Sequence, residues 1–246
     1  MKHARLKYQN QIIDITEKND NEWVSSGGIP VNLNACRWLP PAHGSLIGIA
    51  VNSVRHGDEC QIEIPENPII YFKLPNSLTA HQCPVQRPDG VKMFTPQAEL
   101  VVIIGRKAHR VNKENALEYV AGYTILNNFT VQDDVKGYYR PPVKAKNHDG
   151  TGALGPWIIS ADRIPKPDQL MTTTKVNNKV VSEGTTEEYI HSVADAITYI
   201  SDFMTLQPGT LITLGTVGGL VNVNAGDEVE VTIEAIGTLN NTLVTT

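Results

Sequence analysis

The strongest hydrophobic pattern in the chain is the run from Leu100 to Ile104, apolar and largely β-branched, and ended by Gly105. An unbroken apolar run of that length predicts a strand covered on both faces. Shorter runs predict further strands at Leu46 to Val51, Ile69 to Lys73, Tyr123 to Val131, Trp157 to Ser160 and Leu211 to Leu214. From Glu228 to Ile236 acids and Thr alternate with Val and Ile, the period of a half-buried antiparallel strand. Alternation around Gln9-Asn10-Gln11 predicts a hairpin over His3 to Ile15. Val176-Asn177-Asn178-Lys179 predicts a two-residue hairpin turn, because Asn tolerates positive φ better than most residues.

Two helices are expected. The longer is Glu187 to Leu206, where Thr185 and Glu188 make a capping box and Ile190, Val193, Ala194, Ile197, Ile200 and Met204 form an apolar stripe. The shorter, Lys113 to Val120, is capped by Asn112 and closed by Gly122. Asn52 to Glu59 is polar, and a helix there would put His56 and Glu59 on one face. Glu17 to Pro41, with at most one short strand, Pro75 to Asp89 and Gly137 to Pro142 read as loops. Strands dominate and the helices are far apart, so the fold class is α+β, β-rich, with mixed sheets and few helices. Pro40-Pro41 divides a small N-terminal β lead-in, residues 1–41, from a main domain, residues 42–246.

Composition narrows the function classes. The 246 residues are 41% hydrophobic and 19% charged, ordinary for a globular chain with one sizeable core. A net charge of -5 argues against a nucleic-acid partner, whose phosphates require clustered Lys and Arg. Cys36, Cys60 and Cys83 are odd in number and include no Cys-x-x-Cys pair, so they suggest neither a disulfide framework nor a zinc knuckle, and a reducing compartment is the simpler reading. No leader-like apolar run opens the sequence and no segment approaches the ~20 apolar residues of a membrane span. The expected location is the cytoplasm, with no membrane partner.

Motifs of low individual specificity recur in a fixed order. They are Asn52 with His56 and Glu59, the strand Ala98-Glu99 to Gly105, Tyr119-Val-Ala-Gly-Tyr-Thr124, Asn127, and Lys146 with Asp149-Gly150. Gly155-Pro156-Trp157, Phe203-Met-Thr-Leu-Gln-Pro-Gly209, Gly215-Thr216 and Gly226-Asp-Glu-Val-Glu-Val231 follow. From about Leu46 to the C-terminus this ordered set resembles the fumarylacetoacetate hydrolase family. Met1-Lys-His-Ala-Arg5 and Tyr138-Tyr139-Arg140-Pro141 narrow the likeness to its isomerase/decarboxylase members.

The resemblance implies a roll of mixed β-sheets, usually dimeric, either as a homodimer or with a paralogous subunit. It also implies a divalent cation held by three carboxylates, at positions that fall on Gln97, Glu99 and Asn128. Two of the three are carboxamides here, so the formal charge of that shell drops from -3 to -1. Mg²⁺ and Mn²⁺ prefer hard anionic oxygens, whereas Ca²⁺ accepts neutral ones. The cofactor expectation is therefore a weakly held Mg²⁺, Mn²⁺ or Ca²⁺, or none. For a small 2-oxo acid substrate the resemblance makes Glu59 the base and has His56 orient it or share its proton. Lys146 would neutralise enolate charge or bind a carboxylate, Gly215 and Thr216 would hold one carboxylate end, and Arg140 the distal one.

From the residues alone, Lys146 and Arg140 fit surface cations equally well, Asn128 fits a turn, and Gln97 fits a strand start. Glu99 is different, because a carboxylate at the mouth of an apolar strand needs a cation or Lys beside it. Two functions follow. One is a decarboxylase and isomerase of 2-oxo or 2-hydroxydiene di- and tricarboxylates, of the 5-oxopent-3-ene-1,2,5-tricarboxylate and 2-hydroxyhepta-2,4-diene-1,7-dioate type. The other is a catalytically reduced subunit of the same fold with a structural or ligand-binding role.

Overall fold

The computed structural model describes residues 1–19, 22–135 and 142–245. Arg140 and the Tyr138 to Pro141 motif lie outside the described residues. The chain opens with β1 (Lys2–Tyr8), β2 (Gln11–Asn19), β3 (Glu22–Ser25) and β4 (Arg37–Leu39), then β5 (Leu46–Ala50), α1 (Val54–Cys60) and β6 (Ile69–Lys73). Short strands β7 (Leu78–Ala80), β8 (Val85–Arg87) and β9 (Phe94–Thr95) lead to β10 (Ala98–Ile104), β11 (Val120–Asn128), β12 (Thr130–Val131) and the one-turn α2 (Val143–Lys146). The remainder is β13 (Gly152–Ser160), the hairpin β14 (Met171–Val176) and β15 (Lys179–Thr185), α3 (Val193–Phe203), β16 (Leu211–Thr213), β17 (Glu228–Ile233) and β18 (Gly237–Thr245).

These strands build a mixed 11-stranded sheet whose main path runs β3-β2-β1-β13-β11-β10-β16-β5-β6, and a 5-stranded sheet in the order β15-β14-β17-β18-β8. The β-rich α+β class expected from the pattern is what forms. All of β10 is buried, as its unbroken apolar run requires. With a side-chain period of two, Leu100, Val102 and Ile104 enter the main core with Ile197 and Ile200 of α3. Val101 and Ile103 turn the other way, onto Leu46, Leu126, Leu154 and Leu211. Glu99 continues this second face.

The N-terminal strands join the large sheet through β1 and β13, Lys2 opposite Ile159. They also keep an apolar cluster of their own, in which Leu6, Ile15, Trp23 and Trp38 pack with Ala80 and Cys83. The turn at Asn177 and Asn178 has φ of 49° and 64°, as the dipeptide predicts. Expected loops hold more order than their composition suggests: β3 and β4 lie between Glu17 and Pro41, and β7 and β8 between Pro75 and Asp89. β18 carries no sharp alternation and is legible only from its pairing with β17.

Both expected helices are corrected. Lys113–Tyr119 is a 3-10 helix, and the Asn112 side chain makes no cap bond. The Tyr119 carbonyl accepts instead from the Gly105 N–H at 2.7 Å, which ends the helix and starts β11. The longer helix begins at Val193, not Glu187. Thr185 and Glu188 do form their capping box, but over one 3-10 turn, and a second box from Ser192 and Asp195 starts α3.

The cause of that interruption is Asn52. Its backbone carbonyl accepts from Ile190 N–H at 2.9 Å, its Oδ1 accepts from His191 N–H at 2.8 Å, and its Nδ2 donates to the carbonyls of His191 and Leu214. Backbone groups that a continuous helix would pair internally are thus paired with Asn52. The same residue ties the start of α1 to the loop after β16. Asn52→Ala therefore strands several buried partners and should destabilise the fold by about 2–4 kcal/mol, measured by urea denaturation; a loss below about 1 kcal/mol would contradict this clamp.

Candidate active site

Strand pairing brings together the positions that the resemblance marks. Asn128 sits across from Gln97, its N–H donating to the Gln97 carbonyl at 2.9 Å, and Glu99 lies two residues along β10. The Glu99 carboxylate, 1% exposed, faces neutral donors: Oε1 accepts from Asn128 Nδ2 at 2.9 Å, and Oε2 from Thr213 Oγ1 at 2.6 Å and Tyr71 Oη at 3.3 Å. Asn128 Nδ2 also donates to Tyr71 Oη at 2.6 Å. Tyr71 reaches this position because its ring lies across Gly48, where any side chain would collide with it. Burial, then the charge and hydrogen bond of Glu99, hold the Tyr71 phenol well above its usual range.

Lys146, at the end of α2, is 7% exposed. Its Nζ donates to Gln97 Oε1 at 2.5 Å and to Thr130 Oγ1 at 2.7 Å, and stands 5.4 Å from the centre of the Tyr71 ring. Burial lowers its pKa, while the charge of Glu99 opposes the shift. A second buried cation supports it from behind. Lys73, 3% exposed, donates from Nζ to the Lys146 carbonyl at 2.5 Å, through space left by the missing side chain of Gly152. Burial first, and then the neighbouring Lys146, pull the Lys73 pKa down to about 7, with Glu99 opposing.

His56, Lys146, Glu99, Gln97, Gly215 and Thr216 line one cavity, together with Cys60 and Tyr71. His56 is in α1, whose N-cap is Ser53: its Oγ accepts from the His56 N–H and donates to the Val217 carbonyl at 3.0 Å. Burial, followed by the Lys146 charge, lowers the His56 pKa to about 4 despite Glu59, so the imidazole is neutral at neutral pH. Glu59 does share the His56 face, at 3.8 Å from Nδ1. It stands beside the cavity, however, with both oxygens accepting from Gly219 N–H and with Arg55 Nε paired to Oε1 at 3.4 Å. The Thr216 hydroxyl has only long contacts of 3.4 Å, to the carbonyl and N–H of Gly218. Tyr189 fixes the loop by donating to the Gly215 carbonyl at 3.0 Å.

Residues 45–244 match the family model described as fumarylacetoacetate (FAA) hydrolase, C-terminal. The chain belongs to the fumarylacetoacetate hydrolase family. It is 40% identical over 207 residues to the 4-hydroxyphenylacetate degradation bifunctional isomerase/decarboxylase of Salmonella dublin, covering 84% of this chain and 48% of that protein. It is likewise 40% identical over 206 residues to the homoprotocatechuate catabolism bifunctional isomerase/decarboxylase of Escherichia coli, again 84% and 48%. The chain thus spans about half the length of these curated relatives. Its fold is similar to the crystal structure of 5-carboxymethyl-2-hydroxymuconate delta-isomerase from Mycobacterium smegmatis, with TM-score 0.88, 28% identity and coverage of 100% and 99%. The 2-hydroxyhepta-2,4-diene-1,7-dioate isomerase of Mycobacterium marinum gives TM-score 0.85, 28% identity and the same coverage.

The divalent cation implied for a fumarylacetoacetate hydrolase family member would sit among Gln97, Glu99 and Asn128, and these residues do not fit it. Glu99 is the one anion of the set, and both its oxygens already accept hydrogen bonds. The Gln97 amide oxygen holds an ammonium, and Asn128 turns its NH₂ toward Glu99, leaving Oδ1 buried without a partner. Hard dications require several anionic or water oxygens, and Lys146 at this position repels them. Among the described residues no group of three His, Cys, Asp or Glu is placed to hold a metal.

Sequence reasoning missed Tyr71, Lys73, Thr130 and Thr213. A signal for two of them existed: Tyr71 and Lys73 are two apart on one strand and so share a face, the opposite one from Phe72, which is exposed. The charge on Lys73 carries its own test. Below pH 7 both folded and unfolded chains hold the proton; between 7 and the unfolded value of 10.5 only the unfolded chain does, so stability rises with pH across that window. In Lys73→Met this rise should be smaller, Lys146 keeping a share of its own, and urea midpoints at pH 7 and pH 10 for the two proteins measure it. An equal rise in both would mean that Lys73 is not the buried titrating group.

Proposed function

We propose that this chain is a decarboxylase and isomerase of 2-oxo or 2-hydroxydiene di- and tricarboxylates, working through a stabilised enolate. The observation that carries this reading is the meeting, on one cavity wall, of a neutral imidazole, a buried ammonium and a threonine hydroxyl held only by long hydrogen bonds. The names of the relatives agree with it, and their chemistry supplies the substrate class.

In decarboxylation the bond breaks between CO₂ and a carbon conjugated with the keto group, α to it or γ to it through a C=C bond, and the electron pair moves onto the keto oxygen as an enolate or dienolate. An ammonium beside that oxygen stabilises the charge as it forms, and Lys146 is the ammonium on the wall. The enolate then takes a proton at carbon. In isomerisation of a 2-hydroxydiene the hydroxyl proton leaves, the same dienolate forms, and a proton returns at a carbon further along the chain. His56 is neutral and reaches the cavity, so it can accept and return that proton, while Glu59, 3.8 Å away, stabilises the imidazolium formed between the two steps. Gly215 and Thr216 anchor a carboxylate end of the substrate.

The test follows decarboxylation of 5-oxopent-3-ene-1,2,5-tricarboxylate and isomerisation of 2-hydroxyhepta-2,4-diene-1,7-dioate by ultraviolet absorbance. His56→Gln should lower kcat by about 10²–10⁴-fold. The acid limb of wild-type kcat/KM should fall near pH 4, because His56 stays neutral down to that value, and not near 6.5. Absence of both reactions in the wild type would favour the ligand-binding subunit, and unchanged turnover in His56→Gln would remove the proposed proton carrier.

A further inference from the structure

We infer that Lys146 stands in for the metal: the remaining N–H of its ammonium binds an oxygen of a small 2-oxo acid directly, so the site works without a divalent cation. This rests on the proposed function to the extent that the ligand is a 2-oxo acid.

An ammonium has three N–H donors and no acceptor. Gln97 Oε1 and Thr130 Oγ1 take two of those of Lys146, and no described residue takes the third, although the side chain is more than nine-tenths buried and lines the cavity. A buried charged donor left unpaired is costly, and an anionic oxygen in the cavity removes that cost.

The two carboxamides are what leave this charge available. A carboxylate at position 97 would pair with Lys146 and neutralise it; the Gln97 amide oxygen orients the ammonium and leaves its charge for a ligand. Asn128 acts in the complementary way, donating to Glu99 where a second carboxylate would repel it. Glu99 remains as the carboxylate that favours a charged Lys146, ahead of the Cys60 thiol. Lys73 completes the set by fixing the Lys146 backbone carbonyl, which holds the end of α2 in place. Gln97, Asn128 and Lys146 therefore form one consistent exchange: two anions given up and an internal cation used where an external one would bind.

Calorimetric titration of the full chain with oxalate, a mimic of a 2-oxo acid enolate, tests this in millimolar EDTA and again in millimolar Mg²⁺ or Mn²⁺. Equal affinity within about twofold is expected, and Lys146→Gln should weaken it about tenfold to a hundredfold in EDTA, the loss of one charge-assisted hydrogen bond. The double variant Gln97→Glu with Asn128→Asp should lose oxalate binding in EDTA and regain it with Mg²⁺. Wild-type binding that requires the metal, or Lys146→Gln binding like wild type, overturns the inference. Should Lys146→Gln fail to fold, the wild-type comparison with and without metal decides by itself. Metal-independent binding without turnover would uphold this inference and overturn the proposed reaction; turnover with metal-dependent binding would do the reverse.

Discussion

The site depends on one buried charge relationship, Glu99 and Lys146 held under the large sheet with little access to water. Removing two charges from water is expensive, and their attraction offsets that cost only if the remaining donors and acceptors are also met. The surrounding residues meet them. Thr213, Tyr71 and Asn128 donate to Glu99, while Gln97 and Thr130 accept from Lys146. Each comes from a different strand or from the segment just beside one, so the sheet register is what places them. A one-residue slip of β10 would turn Glu99 into the main core and Leu100 into the site.

A second set of bonds brings His56 to this pair. Asn52 and Ser53 bind the loop after β16 and the segment before α3, and α1 thereby presents His56 to the cavity shared with Lys146. The imidazole stays neutral because it is buried and faces an ammonium. The helix break at Tyr189–His191 is thus part of the site: the backbone that a longer α3 would have used is the backbone that Asn52 holds.

Much of this was legible from the sequence, and the parts that were not share a cause. The core strand Leu100 to Ile104, the strand Ile69 to Lys73 and the Asn177-Asn178 turn follow from local pattern, since period and φ preference act within a few residues. Helix Glu187 to Leu206 was misread because its cap and stripe are sound locally, and only a partner more than a hundred residues away in sequence interrupts it. Gln97, Glu99, Asn128 and Lys146 were found through the ordered family motifs. Lys73 and Tyr71 were not, because a lysine in an apolar strand reads as its solvent side until the strand is known to bury that face. Gln97 and Asn128 looked like losses in sequence, whereas in the structure they are the residues that orient Lys146 and Glu99.

The central claim is that this cluster forms an enolate from a 2-oxo acid using Lys146 and His56. Exchange of the methyl protons of pyruvate into D₂O, followed by proton NMR with the protein in EDTA, tests enolate formation directly and needs no knowledge of the natural substrate. The account predicts exchange above the protein-free rate that is lost in both Lys146→Gln and His56→Gln. Exchange no faster than without protein, or exchange that survives both substitutions, would contradict it.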